Sequence, residues 1–188
     1  IFASIGNYAY GYDKDSIFVN QFMSSVAKIN GMEIEVKTDY PRNGKVQIQT
    51  SGVKTLYIRI PSWCREFTVS EEFEKTNGYA VIKNPEKLVT VDFVMTPTVM
   101  QANPKVKSTA GKVAVMYGPI VYCAEGCDNT CGRLHEQFIN SNGEFEVSYC
   151  DELGANIICA DGYKKTSTPS LYSTFSDDFE KIKLKLIP

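Results

Sequence analysis

One histidine and six cysteines limit the chemistry open to this sequence. His135 lies in Gly132-Arg133-Leu134-His135-Glu136, shortly after Cys131, so any histidine-dependent dyad must use it. A Cys–His nucleophilic pair needs thiol and imidazole within hydrogen-bond reach, which sequence spacing does not establish. Cys123-x3-Cys127-x3-Cys131 is the one cysteine cluster, and it lacks the two- or four-residue intervals of zinc knuckles. Cys64 and Cys123 stand in apolar β-type runs, where a free thiol packs as a small hydrophobe. Reduced thiols, including Cys150 and Cys159, are the favoured reading, which leans towards a reducing, cytoplasmic compartment. A Cys127–Cys131 loop disulfide stays open.

Paired carboxylates could run glycoside hydrolysis. The candidates are Glu71, Glu72 and Glu74, then Glu125 with Asp128, then Asp177 with Asp178. The first group shares its loop with Lys75 and Thr76 and reads as a solvated charge cluster, and the last flanks a turn. Glu125 follows an apolar run and is expected to be half-buried, in a hydrogen-bonding role before a catalytic one. No glycine-rich phosphate loop and no Gly-x-Ser-x-Gly nucleophile elbow occurs. Aromatic residues are plentiful, at 11 Tyr, 10 Phe and 1 Trp, and exposed rings can stack on sugars. Trp63 follows Pro61-Ser62 at a strand end, where plugging the core edge is favoured over stacking. Trp63, Tyr117 and Glu125 are the candidate sugar-contact or domain-interface residues. No catalytic, cofactor-binding or metal-ligating residue is assigned.

The elements that carry these groups read as strands. Val46/Ile48, Leu56/Ile58/Ile60, Val89/Val91/Phe93 and Ile182/Leu184/Leu186 each alternate with polar neighbours. The last run sets its apolar residues against Lys181, Lys183 and Lys185, as a half-buried antiparallel strand should. Further strands are expected at 16–22, 33–38, 78–83, 112–117, 120–124 and 145–149. Asn-Gly, a hairpin signal, recurs at Asn30, Asn43, Asn77 and Asn142. Proline in Ile60-Pro61 and Gly118-Pro119 marks strand boundaries. The pattern predicts an all-β chain of two antiparallel, jelly-roll-like sandwiches at 16–95 and 96–188, with little helix. Residues 1–15 read as a residual linker whose first part ends a helix, and 151–176 as a long surface loop.

At 188 residues, with 43% hydrophobic and 22% charged residues, the chain can bury one or two ordinary cores. A net charge of −2 offers no electrostatic footprint for nucleic acid or an anionic membrane. No apolar run approaches a membrane span, and the opening residues lack the layout of a signal peptide. The chain opens on Ile1 rather than Met, which suggests a processed or excised piece.

Four segments, in order, resemble the C-terminal β-sandwich region of glycoside hydrolase family 127, whose best-known activity is β-L-arabinofuranosidase. They are Ile17-Phe18-Val19-Asn20-Gln21-Phe22 with Tyr40-Pro41-Arg42-Asn43-Gly44; Leu56-Tyr57-Ile58-Arg59-Ile60-Pro61-Ser62-Trp63-Cys64; Gly78-Tyr79-Ala80-Val81-Ile82 through Val91-Asp92-Phe93-Val94-Met95; and Ala102-Asn103-Pro104 with Gly111 through Gly118-Pro119-Ile120-Val121-Tyr122-Cys123-Ala124-Glu125. Departures fall at hairpin tips: Arg42 stands where the family often has Trp, and Glu71-Glu72 where it often has Asn-Gly. The resemblance implies an upstream (α/α)6 barrel with a zinc-bound cysteine nucleophile, further cysteine ligands and a glutamate. None of those residues maps onto a position here. The implied role is non-catalytic bracing of that barrel, the partner within the same protein, with zinc belonging to the barrel. A glycan ligand and a homodimer are open partners. The alternatives are an autonomous carbohydrate-binding module and a structural or interaction sandwich.

Overall fold

The computed structural model describes residues 2–166, 171–172, 174 and 178–188. Two compact units divide the chain, Ile1–Met95 and Thr96–Pro188.

The first unit carries β1 (Tyr10–Tyr12), β2 (Ser16–Val19), β3 (Ser25–Ile29), β4 (Met32–Thr38), β5 (Lys45–Ser51), β6 (Thr55–Arg59), β7 (Phe67–Val69), β8 (Glu74–Thr76), β9 (Tyr79–Lys83) and β10 (Leu88–Phe93). They form two five-stranded sheets, ordered β1-β2-β6-β9-β8 and β3-β4-β5-β10-β7. The predicted alternation is the reason they stack. Ile17, Val19, Leu56, Ile58, Ala80 and Ile82 from one sheet meet Met32, Ile34, Val36, Val46, Ile48, Val89, Val91 and Phe93 from the other in one core. Each fully buried Ile or Val contributes roughly 1.5–3 kcal/mol over leaving it exposed. All pairs are antiparallel except β2–β6, which runs parallel from Ser16↔Thr55 to Val19↔Ile58. Parallel neighbours need a long crossover, and here the whole β3–β5 stretch supplies it.

Turn chemistry acts at two of the four Asn-Gly pairs. Asn30-Gly31 and Asn77-Gly78 both take positive φ at each residue, as the tight β3–β4 and β8–β9 hairpins require. Asn43 instead accepts the Lys45 N–H on its side-chain oxygen at 3.0 Å.

The second unit contains β11 (Pro97–Gln101), β12 (Val113–Tyr117), β13 (Ile120–Ala124), β14 (Gln137–Ile139), β15 (Phe145–Cys150), β16 (Ala155–Lys165) and β17 (Phe179–Ile187). They form one seven-stranded sheet, β11-β12-β13-β17-β16-β14 with β15 also on β16. β13 joins two parts of it. Ile120, Val121 and Tyr122 pair with β12, while Cys123 and Ala124 pair with β17. Val115, Tyr122, Ile158, Ala160, Leu184 and Leu186 from both parts fill one core. β14 and β15 lie one after the other along the same edge of β16. Residues 140–144 leave and rejoin that edge around Asp161, whose backbone C=O accepts from Asn140 N–H and whose N–H donates to Glu144 C=O.

The all-β architecture agrees with the sequence reading, and two local expectations do not. The supposed linker 1–15 begins as a 3₁₀ helix, Phe2–Tyr8, and then enters the first unit. Ala9 is buried, β1 pairs with β2, and Tyr10 shares a 2.7 Å hydroxyl hydrogen bond with Ser25. The supposed loop 151–176 contains β16, which is 11 residues long and flanked on both edges. Its inward positions include Ala160 and Gly162, side chains too small to show as an apolar period. Within that stretch, 167–170, 173 and 175–176 lie outside the described residues.

Candidate functional site

Trp63 belongs to the first unit, at the rim of its core. Its indole N–H donates to Tyr40 Oη at 3.3 Å, and its ring packs edge-on to Phe93 with centroids 6.3 Å apart. The Tyr40 ring stacks on it at 6.4 Å, and burial pushes the Tyr40 phenol above its ordinary value. Trp63 is half-buried, and its ring contacts run to Tyr40 and Phe93, as a plug at the core edge makes them. Cys64, next in sequence, donates its thiol to Glu66 C=O at 3.1 Å, and burial raises its pKa first among the causes. A raised thiol is a poor nucleophile at neutral pH.

Tyr117 and Glu125 lie in the second unit, near opposite ends of the β12–β13 hairpin. Tyr117 is half-buried, its ring perpendicular to Tyr122 at 6.3 Å. Tyr122 donates its hydroxyl to Asn156 C=O at 2.9 Å, and burial again raises the phenol. Glu125 was expected to be half-buried; it is exposed, because β13 ends one residue earlier and the chain turns outward. Cys123 is likewise exposed rather than packed as a hydrophobe, since strand alternation points it away from the core side occupied by Tyr122.

Glu125, Cys127 and Asp128 bring two carboxylates and a thiol within 4.8 Å of one another. Cys123, Cys131 and His135 do not join them. The Cys127 thiol donates to Glu125 Oε2 at 3.4 Å, and the Lys185 ammonium sits 2.8 Å from Asp128 Oδ1. That hydrogen bond raises the Lys185 pKa first among its causes, so a cation already faces the cluster. A divalent metal would have to displace it, and two hard oxygens with one soft sulfur make a mixed donor set. Of the two carboxylates, Glu125 is exposed and Asp128 is paired with Lys185.

The residue that sequence reading missed is Asn129, buried at 5% exposure. Its amide donates to Glu125 C=O and Lys185 C=O, both at 2.9 Å, and its oxygen accepts Lys185 N–H at 2.8 Å. It pins the 125–129 turn to β17, and a lone Asn in a polar stretch gives no sequence signal of this. Gln137 extends the clamp by donating to Asn129 C=O at 3.0 Å. A groove of about 490 Å³ opens beside it, lined mainly by Val113, Val115, Leu134, Phe138, Ile139 and Leu184. Of the remaining carboxylate candidates, Glu71 accepts the Glu86 N–H at 3.1 Å, and Glu72 and Glu74 are exposed. Asp177 lies outside the described residues. Among the described residues, Trp63, Tyr117 and Glu125 form no common site within either unit.

Both units are β-rich, and the polar groups described above serve packing, turns and ion pairs. Residues 16–92 match the model for "Beta-L-arabinofuranosidase, GH127 middle domain", and residues 97–188 match the glycoside hydrolase family 127 C-terminal domain. The chain belongs to glycoside hydrolase family 127. A non-reducing end β-L-arabinofuranosidase of Bifidobacterium longum is 30% identical over 149 residues, covering 69% of this chain and 22% of that protein. The crystal structure of a family 127 β-L-arabinofuranosidase from Geobacillus stearothermophilus T6 superposes with a TM-score of 0.86 at 30% identity, over 99% of this chain and 33% of that one. A second family 127 β-arabinofuranosidase structure gives 0.78 at 27% identity, over 97% and 33%. This chain therefore spans between about a fifth and a third of the length of these relatives, and corresponds to a partial, non-catalytic portion of them.

Proposed function

We propose that these two units are the non-catalytic C-terminal portion of a glycosidase acting on L-arabinofuranosides, and that they brace its helical catalytic barrel. The observation that carries this reading is the unbroken run of middle- and C-terminal-domain matches across residues 16–92 and 97–188. The polar groups fit it. Asn129, Gln137 and the Lys185–Asp128 pair hold backbone in place, as a rigid scaffold requires. The zinc implied by the family resemblance would be held by the catalytic portion. Lys185 already faces the nearest metal-capable trio in this chain.

The test compares the 188-residue chain with the complete reading frame that contains it, on nitrophenyl α- and β-L-arabinofuranosides. Hydrolysis by the complete frame and none by the 188-residue chain is expected. Turnover by the isolated chain overturns the reading.

A further inference from the structure

The seven-stranded sheet of the second unit changes character halfway across. Over β16 and β17 its outer face is charged: Lys183 meets Asp161 at 2.9 Å and Glu146 at 3.5 Å, and Lys185 meets Asp128 at 2.8 Å. Over β11, β12 and β13 there is no charge at all. The three strands read Pro-Thr-Val-Met-Gln, Val-Ala-Val-Met-Tyr and Ile-Val-Tyr-Cys-Ala. Register and alternation divide them cleanly. Val99, Val115 and Tyr122 lie in one row, with Val115 and Tyr122 in the core. Thr98, Met116 and Val121 form the next row, on the opposite face, with Met100, Ala114 and Cys123 beside them. On that outer face Val121 is 57% exposed and Met100 47%, and Cys123 is exposed.

Strands that are apolar on both sides are the signature of sheets covered on both faces, whereas a solvated face alternates. β17 obeys the second rule and β11–β13 the first, within a single sheet. An uncharged patch of Met, Val, Ala and Cys is what remains when its cover is absent.

Resting on the functional reading above, we propose that the outer face of β11–β13 is a docking surface for the catalytic portion of the same polypeptide. The solved relatives carry about two-thirds of their chain outside the matched region, enough to supply that cover. The lack of charge calls for an apolar opposing surface, not a polyanion or a free sugar. Interfaces between domains of one chain bury roughly 600–1,500 Å² in general, and this face supplies the apolar centre of such a contact.

Cys123 is a built-in reporter, because it lies on the face while Cys127 and Cys131 lie on the exposed turn beyond it. Maleimide labelling read by peptide mass spectrometry would follow all three thiols in the 188-residue chain and in the complete reading frame. In the isolated chain Cys123 should label as readily as Cys127 and Cys131. In the complete frame it should slow by about tenfold or more while the other two stay fast. Val121→Glu should restore fast Cys123 labelling in the complete frame, leaving the circular dichroism and melting of the isolated chain unchanged. Equal Cys123 rates in both forms of an active complete enzyme overturn this inference and leave the functional reading standing. A complete frame without arabinofuranosidase activity or any further domain removes the functional reading, and this inference with it. Protection that appears in the 188-residue chain and grows with its concentration, alongside a dimer by light scattering, assigns the face to a second copy instead and overturns the proposal.

Discussion

Gly44→Ala should be the most damaging single-methyl change in the first unit. A Cβ at Gly44 would stand 1.9 Å from the Phe93 carbonyl oxygen, 2.8 Å from its carbon and 3.0 Å from its nitrogen. All three are backbone atoms, so no rotamer change relieves the clash. β5 and β10 would have to part at the end where Phe93 N–H donates to Gly44 C=O at 3.0 Å and Asp92 pairs with Lys45. Overpacking of this kind costs about 1–3 kcal/mol, and the weakened hydrogen bond about 1 kcal/mol more. The total of about 2–4 kcal/mol, divided by a urea m-value of about 1–3 kcal/mol/M, lowers the midpoint by roughly 0.7–4 M. The single tryptophan reports the event directly, because Trp63 packs on Phe93. Urea titration followed by tryptophan fluorescence is therefore the assay, with Gly6→Ala as the control. Gly6 has open space around its missing Cβ and should show no loss. A Gly44→Ala midpoint within about 0.3 M of the parent, well below the overpacking range, would refute the close approach of the β5 and β10 backbones.

The remaining predictions concern the second unit. Asp161 is held below the ordinary carboxylate range, first by its hydrogen bond from Lys183 and then by the Glu144 N–H, and Lys183 is correspondingly raised, first by the same hydrogen bond. The pair's stabilisation should be present at neutral pH. It should be lost as pH falls through the depressed Asp161 value, and lost again as pH rises through the raised Lys183 value. Acid unfolding curves of the parent and Asp161→Asn, which keeps an acceptor for the Glu144 N–H, should converge at low pH; a constant gap would contradict the ion-pair account. High salt should narrow the gap at neutral pH, because both side chains are partly in water. Tyr122→Phe removes the hydroxyl bond to Asn156 and should cost about 1 kcal/mol in thermal unfolding followed by circular dichroism, with the fold unchanged.

How far the sequence reveals this fold depends on side-chain size. β5, β6, β10 and β17 announce themselves because Ile, Val and Leu recur at every second place. β16 stays hidden because its inward positions run through Ala160 and Gly162, where Leu184 from β17 fills the space a side chain would take. β3 shows little contrast between its faces, with Ser25, Ala27 and Ile29 on one and Val26 and Lys28 on the other, and β8 is three exposed polar residues, so their hairpins become visible only through Asn30-Gly31 and Asn77-Gly78. Trp63 is legible as a core-edge plug because Pro61 ends the strand just before it. Glu125 is not, since its exposure depends on where β13 stops, and that is set by Asn129 reaching across to β17. A side chain that ties its own turn to the backbone of Lys185 on a distant strand leaves no periodic trace.

The edge position of β1 bears on how this chain can be cut for expression. The family match begins at residue 16, yet the sheet it describes is finished by Tyr10–Tyr12 lying along Tyr12↔Ile17 to Tyr10↔Val19. A clone trimmed to the family boundary would leave the β2 backbone bare on one side. Bare strand borders recruit other strands, so such a clone should form inclusion bodies, whereas one starting before Ala9 should stay dispersed.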